Sequence, residues 1–452
     1  MNTEIFQELL RAKKYKAVRS ILEVMNAVDI ASLLAELEDK ELVLAFRLIP
    51  KDKAADVFAE MSGQMQAQLV AVFTERELRD ILDDLYMDDT VDLLEDRPAN
   101  LVTRILENVS REKRDQINIL LNYPEDSAGS IMTTEYVDLR RDSTVAQAMS
   151  HIKRTGIHKE TIYTCYVLEA RRLVGIVSAK DLMTTDDDVP IEELMETEII
   201  SVSTHTDQEE VARLFSKYDL LAVPVLDAEE RMVGIVTVDD AIDVVVDEAT
   251  EDISIMAAIS PTEAPYFENS VITTWKSRIP WLMLLMVSAT FTGVIINNFE
   301  SALAACIALT GFIPMLMDTA GNSGSQASVT LIRAMSLGEV EFKDIFRVIW
   351  KECRVAALCA VSLACVNFVK IWLVDRMLLH TTDITILVDF VVCVSLAVTI
   401  LLAKVVGCSL PMLAKKCGFD PAVMASPFIT TIVDALSLLV YFAFAKSLLG
   451  IG

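Results

Sequence analysis

The chain has 452 residues, enough for two or three domains, and 53% of them are hydrophobic. Its net charge of −26 is uneven, because residues 1–270 carry 55 acidic and 27 basic side chains whereas residues 271–452 carry 11 and 13. A field this negative repels nucleic acid and concentrates cations, so the composition excludes a nucleic-acid partner and favours a cationic one.

Residues 1–127 are predicted to form an acidic, all-helical, superhelical domain. Apolar side chains recur at spacings of three and four, as in 30–37, 54–61 and 90–95, and the segments echo one another at unequal intervals. Residues 123–129 contain Pro, Gly and Ser and indicate a linker.

Two similar units follow, at 128–194 and 195–246. Residues 174–181 recur as 233–240, and in each a β-branched run precedes a hydroxyl and an Asp three residues later, which predicts a strand entering a capped helix. The pair resembles tandem cystathionine-β-synthase-type (CBS) domains, which are α/β regulatory modules. The resemblance implies ATP as a ligand of Tyr163, Lys180 and Asp181, although ordinary helix capping explains the same pattern. No P-loop accompanies it, so ATP would regulate rather than drive the protein.

Two acidic stripes, residues 83–96 and 239–252, each hold seven carboxylates with no intervening base. Helical spacing places Asp88, Asp92 and Glu95 on one face, and like charges at that spacing cost a few tenths of a kcal/mol per pair. A solvated face is the ordinary explanation. The second stripe, however, runs into a connecting helix and linker, residues 239–270, that leads to the apolar half. Carboxylates suit hard cations such as magnesium, whereas the scattered His and Cys offer no site for softer metals.

Residues 271–452 predict a five-helix transmembrane domain in the cytoplasmic membrane. Its apolar runs are 280–296, 301–317, 355–374, 384–406 and 422–449. Lys and Arg cluster before the first run, between the second and third, and between the fourth and fifth, so the N-terminus is expected in the cytoplasm and the C-terminus outside. Residues 339–350 are predicted as an amphipathic helix along the inner interface.

Two features of this half are unusual for helices in hydrocarbon. Residues 314–326 are polar and glycine-bearing, which predicts irregular backbone where a helix ends, with helix capping as the alternative. Asp434 lies inside the last apolar run, where a charge costs roughly 3 kcal/mol or more. It is expected to face an ion, water or a partner, and a bundle of protein donors around it is the ordinary alternative. Pro427, one to two turns earlier, frees a carbonyl or simply kinks the helix.

The run from Pro314 to Ser328, the segment from Asp420 to Asp434 and the order of the domains resemble the MgtE family of magnesium channels. The resemblance covers essentially the whole chain. It implies a homodimer in which the second and fifth membrane helices line a central pore. Asp434 would hold hydrated magnesium there, with Thr430, Asn322 and Asp318 as the other pore residues.

The resemblance also implies that the two acidic stripes approach each other in a closed state and are bridged by cytoplasmic magnesium. The regulatory ligands expected from it are Asp88, Asp92, Asp219, Asp239, Asp240, Asp243, Asp247, Glu248, Glu251, Asp252 and Asp420. Such a protein performs no catalysis. Two alternatives stay open: an ion-coupled divalent-cation carrier with Asp434 as its protonation site, and a membrane-anchored sensor of metal or nucleotide.

Overall fold

The fold is taken from a computed structural model, which describes residues 3–94, 97–262, 266–267, 269–378 and 385–450. The chain forms two compact units, residues 1–245 and 246–452. The first combines short helices with two small sheets, and the described part of the second is helical.

Ten short helices build the start of the first unit. They are α1 (Thr3–Arg11), α2 (Tyr15–Val24), α3 (Ala27–Ala35), α4 (Asp39–Phe46), α5 (Lys51–Ala59), α6 (Gly63–Val72), α7 (Glu75–Asp84), α8 (Met87–Asp92), α9 (Ala99–Asn108) and α10 (Arg111–Leu120). Basic side chains satisfy carbonyls at helix ends about 30 residues earlier: Lys53 Nζ reaches the Met25 oxygen at 2.8 Å, and Lys113 Nζ reaches the Leu85 oxygen at 2.6 Å. The recurring contact confirms the predicted superhelical repeat.

Two sheets of the same topology follow. The first contains β1 (Val137–Arg140), β2 (Thr164–Glu169) and β3 (Arg172–Ser178), with helices α11 (Val145–Thr155), α12 (Ala179–Thr184) and α13 (Ile191–Leu194). The second contains β4 (Val202–Ser203), β5 (Ala222–Leu226) and β6 (Met232–Thr237), with α14 (Gln208–Tyr218). In each, the first two strands are parallel and the last two antiparallel, with Cys165 opposite Val177 and Val223 opposite Val236. The tandem α/β prediction is confirmed.

Helix α15 (Val238–Met256) starts directly after β6 and continues into the second unit. That unit contains α16 (Val271–Asn298), α17 (Glu300–Ala305), α18 (Ile313–Ser336), α19 (Ile345–Lys370), α20 (Ile386–Lys416) and α21 (Ser426–Leu449). At the end of α15, Ile255 and Met256 pack against Ile332 of α18 and against Ala422 and Ala425, which precede α21.

Four described segments are long and apolar enough to cross a membrane, namely Val271–Asn298, Phe342–Val374, Ile386–Lys416 and Pro421–Leu449. Together with α18, they make five long helices in the described part of this unit. Helix α18 has 24 residues, so it is about 36 Å long, but its polar side chains lower its hydropathy. The prediction of a separate interfacial helix at 339–350 is wrong, because residues 345–350 form the first turns of α19.

The predicted break at 314–326 is wrong as well, since α18 is continuous from Ile313 to Ser336. The irregular backbone lies earlier, in a 3₁₀ segment at Ile307–Phe312, and Pro314 occupies the first turn of α18, where its missing N–H costs nothing. Pro427 similarly lies in the first turn of α21, so it neither kinks the helix nor frees a carbonyl within it.

Candidate ion pathway and acidic regulatory cluster

Helix α18 has one polar, exposed face. Asp318, Asn322 and Gln326 are exposed and follow one another at intervals of four residues, which places them on the same side of the helix. The opposite side is buried, with Ala320 fully covered and Ser328 donating a hydrogen bond to the Met424 carbonyl at 3.1 Å. A helix of this kind cannot turn its exposed side to hydrocarbon without a large desolvation cost.

Close packing at its glycines explains why this polar sequence stays helical. A Cβ on Gly321 would lie 2.9 Å from Cγ2 of Thr430 on α21, and one on Gly324 would lie 2.9 Å from Cγ2 of Ile429. On α20, a Cβ on Gly407 would overlap the Gly324 carbonyl. Small residues let membrane helices pack this closely, and that packing outweighs the low helix propensity of glycine.

Asp434 is half-buried on α21, four residues after Thr430. Its Oδ1 is buried and has no hydrogen-bond partner among the described residues. The carboxylate of Asp318 on α18 has the same charge and lies close enough to repel that of Asp434. The structure therefore brings Asp318, Thr430 and Asp434 to the α18–α21 pair, together with Asn322 beside Gly321.

Two expected regulatory ligands of the second unit already have protein donors. Asp420 Oδ1 accepts the Ala422 N–H at 2.7 Å and so caps the turn before α21. Asp252 Oδ2, on α15, accepts the Ser336 hydroxyl at 3.3 Å. Both residues lie close in sequence to the contact between the end of α15, the end of α18 and residues 422–425.

Four carboxylates from three segments converge in the first unit. They are Asp88 and Asp89 on α8, Glu160 before β2, and Asp240 at the start of α15, and we call them the acidic cluster. Burial and the charges of Asp240, Asp89 and Glu160 raise the pKa of Asp88 to about 9. Burial and Asp240 raise the pKa of Glu160 to about 8 and that of Asp89 to about 6.

Local hydrogen bonds fix two of these groups. Thr237 Oγ1 donates to Asp240 Oδ2 at 2.5 Å, and burial together with Asp239 and Asp243 still raises the pKa of Asp240 to about 6. Asp88 Oδ1 accepts the Asp89 N–H at 3.0 Å. Asp88 and Asp240 are thus held at helix starts, and the four carboxylates repel one another unless a proton or a cation joins them.

The remaining predicted ligands are more dispersed. Asp92, Asp219, Asp239 and Asp243 are exposed in the first unit, with Asp219 in a left-handed conformation (φ 53°) at the end of α14. In the second unit Asp247 and Glu251 are exposed and Glu248 is half-buried, all on α15. Glu95 lies outside the described residues. Within the described ranges, no three acidic, His or Cys side chains are already arranged around one ion.

Sequence reasoning missed Glu160 and left Asp89 out of the expected ligands. Glu160 comes from the first α/β unit, where its N–H donates to the Glu135 carbonyl at 2.9 Å, and it belongs to no acidic run. Asp89 was within the first stripe, so helical phase alone could have included it.

The expected nucleotide residues lie around the start of α12. The Ser178 hydroxyl accepts the Asp181 N–H at 3.1 Å and donates to Asp181 Oδ2 at 2.5 Å, which is a helix cap. Tyr163 is 66% exposed, and its carbonyl accepts the Ala179 N–H at 2.9 Å, so its backbone lies beside the start of α12, where Lys180 is also exposed.

Family models match most of the chain. A model described as a divalent cation transporter, MgtE, matches residues 313–444; the MgtE intracellular N domain matches 25–126; and CBS domains match 128–187 and 191–247.

Full-length relatives and solved structures agree with these matches. The chain is 36% identical to the magnesium transporter MgtE of Thermus thermophilus, over 98% of this chain and 97% of the relative. It is 34% identical to the magnesium transporter MgtE of Bacillus subtilis, over 97% and 95%. A crystal structure of the cytosolic domain of the Mg²⁺ channel MgtE in complex with ATP covers 54% of this chain and 99% of its own, with 37% identity and a TM-score of 0.51.

Proposed function

Because the chain belongs to the MgtE family of magnesium transporters, we propose that it is a magnesium channel of the cytoplasmic membrane that cytoplasmic magnesium closes. Magnesium would be both its cargo and its regulator, and transport would need no catalysis. One observation carries the pore assignment: Asp434 has a buried oxygen without a hydrogen-bond partner in the described structure, and a second carboxylate, Asp318, acts on it.

Magnesium fits such a site for physical reasons. It dehydrates reluctantly and prefers octahedral oxygen ligands, so a carboxylate that contacts its bound waters holds it without stripping them. Such a site releases the ion more readily than an all-protein cage, as conduction requires. Asp318 and Asn322 on α18 and Thr430 on α21 would complete the polar lining around Asp434.

A homodimer would cover the polar face of α18. In one copy, Asp318, Asn322 and Gln326 are exposed on a helix that packs among apolar helices. A twofold axis beside α18 and α21 would place two such faces around one aqueous passage, and cyclic twofold symmetry is the commonest form of oligomer. The Lys and Arg clusters that flank the helices favour a cytoplasmic N-terminus and an outer C-terminus.

Closure by magnesium follows from the acidic cluster through linkage. A divalent cation bound among Asp88, Asp89, Glu160 and Asp240 relieves their repulsion, so it favours the converged arrangement over a separated one. The exposed carboxylates Asp92, Asp219, Asp239 and Asp243 would add weaker sites, and Asp247, Glu248 and Glu251 would do so along α15. Helix α15 is the element that joins the cluster to the second unit, where Asp252 and Asp420 would contribute a further site.

Nucleotide binding is a separate part of the proposal. The exposed side chains of Tyr163 and Lys180 next to the Ser178–Asp181 cap offer a ring for stacking and a cation for phosphate. We therefore propose ATP as a modulator at the first α/β unit, supported by the ATP complex of the similar cytosolic domain.

Flux into liposomes tests the pore. In Asp434→Asn the carboxylate is replaced by a neutral group of the same shape, so magnesium uptake should fall to the level of empty liposomes while the protein elutes as wild type. Glu300→Gln, which neutralises an exposed acid at the start of α17, is the matched control and should leave uptake unchanged. Wild-type uptake by Asp434→Asn would reject the pore assignment.

The same liposomes separate the alternatives. A channel conducts at fixed voltage whether or not a proton or sodium gradient is present, whereas a coupled carrier with Asp434 as its proton site loses uptake when that gradient collapses. A membrane-anchored sensor would bind magnesium without any flux.

A further inference from the structure

A cavity of about 610 Å³ opens beside the end of α18 and the start of α19. Its walls come from the last turns of α18, the connection at 337–344 and the first turns of α19. The cavity is in the second unit, and none of the residues assigned to the pore or to the acidic cluster lines it.

Three basic side chains line this cavity. Arg333 on α18 and Arg347 and Lys351 on α19 line it, and none of the three forms an ion pair with another described residue. Arg347 and Lys351 are four residues apart, so they project from one face of α19.

The acidic side chains of the cavity are Glu339, Asp344 and Glu352. Glu352 is paired with Lys404 of α20 at 3.7 Å, and Asp344 accepts the Glu341 N–H at 3.2 Å. The lining holds three bases and three acids, but Lys404, which does not itself line the cavity, offsets Glu352 and leaves Arg333, Arg347 and Lys351 against Glu339 and Asp344. The end of α18 and the start of α19 both border the cavity, so their opposite dipole ends offset each other, and the excess of bases is what favours an anion.

Exposed aromatic residues locate the cavity relative to a bilayer. Phe346 is 83% exposed and Trp350 is 66% exposed, and they form a face of α19 next to Arg347 and Lys351. Aromatic side chains beside bases at the end of a spanning helix are typical of the interface, where phosphate groups of lipids lie. With the orientation proposed above, this is the cytoplasmic interface.

We propose that this cavity binds the headgroup of an anionic phospholipid of the inner leaflet, with Arg333, Arg347 and Lys351 contacting its phosphodiester. Basic pockets between membrane helices on the cytoplasmic side bind acidic headgroups in this way. Phe346 and Trp350 would contact the glycerol and the first carbons of the acyl chains. The inference rests on the proposed orientation but not on the pore or on its gating.

Native mass spectrometry of the full-length protein in detergent tests the proposal. The protein is incubated with dioleoyl phosphatidylglycerol, dioleoyl phosphatidylcholine or inorganic phosphate at equal concentration, and retained molecules are counted. We expect retention of phosphatidylglycerol at least ten-fold above phosphatidylcholine, because each base near the surface adds about five-fold in affinity. Equal retention of the two lipids would overturn the proposal, and so would retention of inorganic phosphate that displaces the lipid.

Variants then locate the site. Arg347→Gln with Lys351→Gln should weaken phosphatidylglycerol retention more than ten-fold. Lys343→Gln is the matched control, because Lys343 belongs to the same connection but pairs with Glu341 at 2.7 Å and does not line the cavity. Unchanged retention in the double variant would reject the site. If that variant unfolds, Arg333→Gln on the other wall gives an independent measurement with the same expectation. Magnesium flux is not a readout here, so failure of this proposal is distinct from failure of the channel.

Discussion

Asp88→Asn is the sharpest test of the acidic cluster. The pKa of Asp88 is raised from 3.8 to about 9, so this carboxyl binds a proton in the converged, metal-free form at pH 7 but is ionised when the cluster separates or unfolds. Each unit of pKa difference is worth about 1.4 kcal/mol, and the three units between 3.8 and pH 7 give about 4 kcal/mol against convergence. An amide carries no such penalty, so we expect Asp88→Asn to stabilise the metal-free first unit by about 2–4 kcal/mol.

Thermal unfolding of the full-length protein with and without magnesium measures this effect. In a unit of this size, a gain of that amount corresponds to a rise in metal-free Tm on the order of 10 °C. The added stabilisation by magnesium should shrink at the same time, because one ligand is lost. Asp115→Asn, at an exposed carboxylate on α10, is the matched control and should change neither value.

The pH dependence has a definite sign. A carboxyl with a raised pKa favours the converged form below its normal pKa of 3.8, and that form loses stability as pH rises toward 9. Metal-free wild type should therefore be more stable at pH 6 than at pH 8, by about 3 kcal/mol from Asp88 alone, whereas Asp88→Asn should show a flatter profile. Magnesium should bind more tightly at pH 8 and release protons on binding. A metal-free Tm that falls in Asp88→Asn, or a magnesium response equal to that of Asp115→Asn, would refute the reasoning.

Two further predictions concern the packing of the second unit. Gly407→Ala should destabilise the protein by about 1–3 kcal/mol, because its Cβ would overlap the Gly324 carbonyl. Gly293→Ala on α16 meets open space and should be neutral or stabilising by up to about 1 kcal/mol, because alanine has the higher helix propensity. Equal Tm values for the two variants would contradict the close approach of α18 and α20. Tyr441→Phe should cost about 1–3 kcal/mol, because the buried Leu309 carbonyl loses its hydrogen bond of 2.9 Å, whereas Tyr15→Phe, at an exposed ring on α2, should cost little in the same unfolding assay.

The sequence predicted the architecture well because each domain has a strong local pattern. The α/β repeat was evident from the recurrence of 174–181 at 233–240, and the structure gives both segments the same strand-to-helix geometry, with Ser178 and Thr237 as hydroxyl partners of Asp181 and Asp240. Apolar runs likewise marked four of the five long helices in the described part of the second unit, whereas the predicted second run, 301–317, is wrong as a span because it covers α17, the 3₁₀ segment and only the first turn of α18.

The same local reasoning failed at residues 314–326, where glycine and serine indicated a break. Helix propensity depends on the local sequence and does not include the residues that pack against a glycine. Here Thr430 packs against Gly321, and Ile429 packs against Gly324. The real irregularity, at Ile307–Phe312, is apolar in sequence and is stabilised by Tyr441, more than 130 residues later. Local sequence patterns could not predict this contact, because Leu309 and Tyr441 are far apart in the chain.

The acidic cluster shows the same limit for the site. The two acidic stripes predicted metal ligands on α8 and α15. Glu160, whose pKa is raised to about 8, comes from a segment without an acidic run. Its position follows from how the first α/β unit packs beside α8 and the start of α15, all within the first unit.

Carboxylates that lie close together without forming a complete metal site fit the proposed role of a magnesium sensor with modest affinity. No three ligands in the described ranges already surround one position, yet burial and the charge of Asp240 raise the pKa values of Asp88, Asp89 and Glu160. A rigid, complete cage would bind magnesium at all cellular concentrations and could not report a change. Carboxylates that repel one another when empty, and that hold a hydrated ion through its waters when full, make the converged state depend on concentration. Helix α15 begins at this cluster, and its last residues pack against α18, so under the proposed gating it would link the repulsion to the helix that carries Asp318 and Asn322.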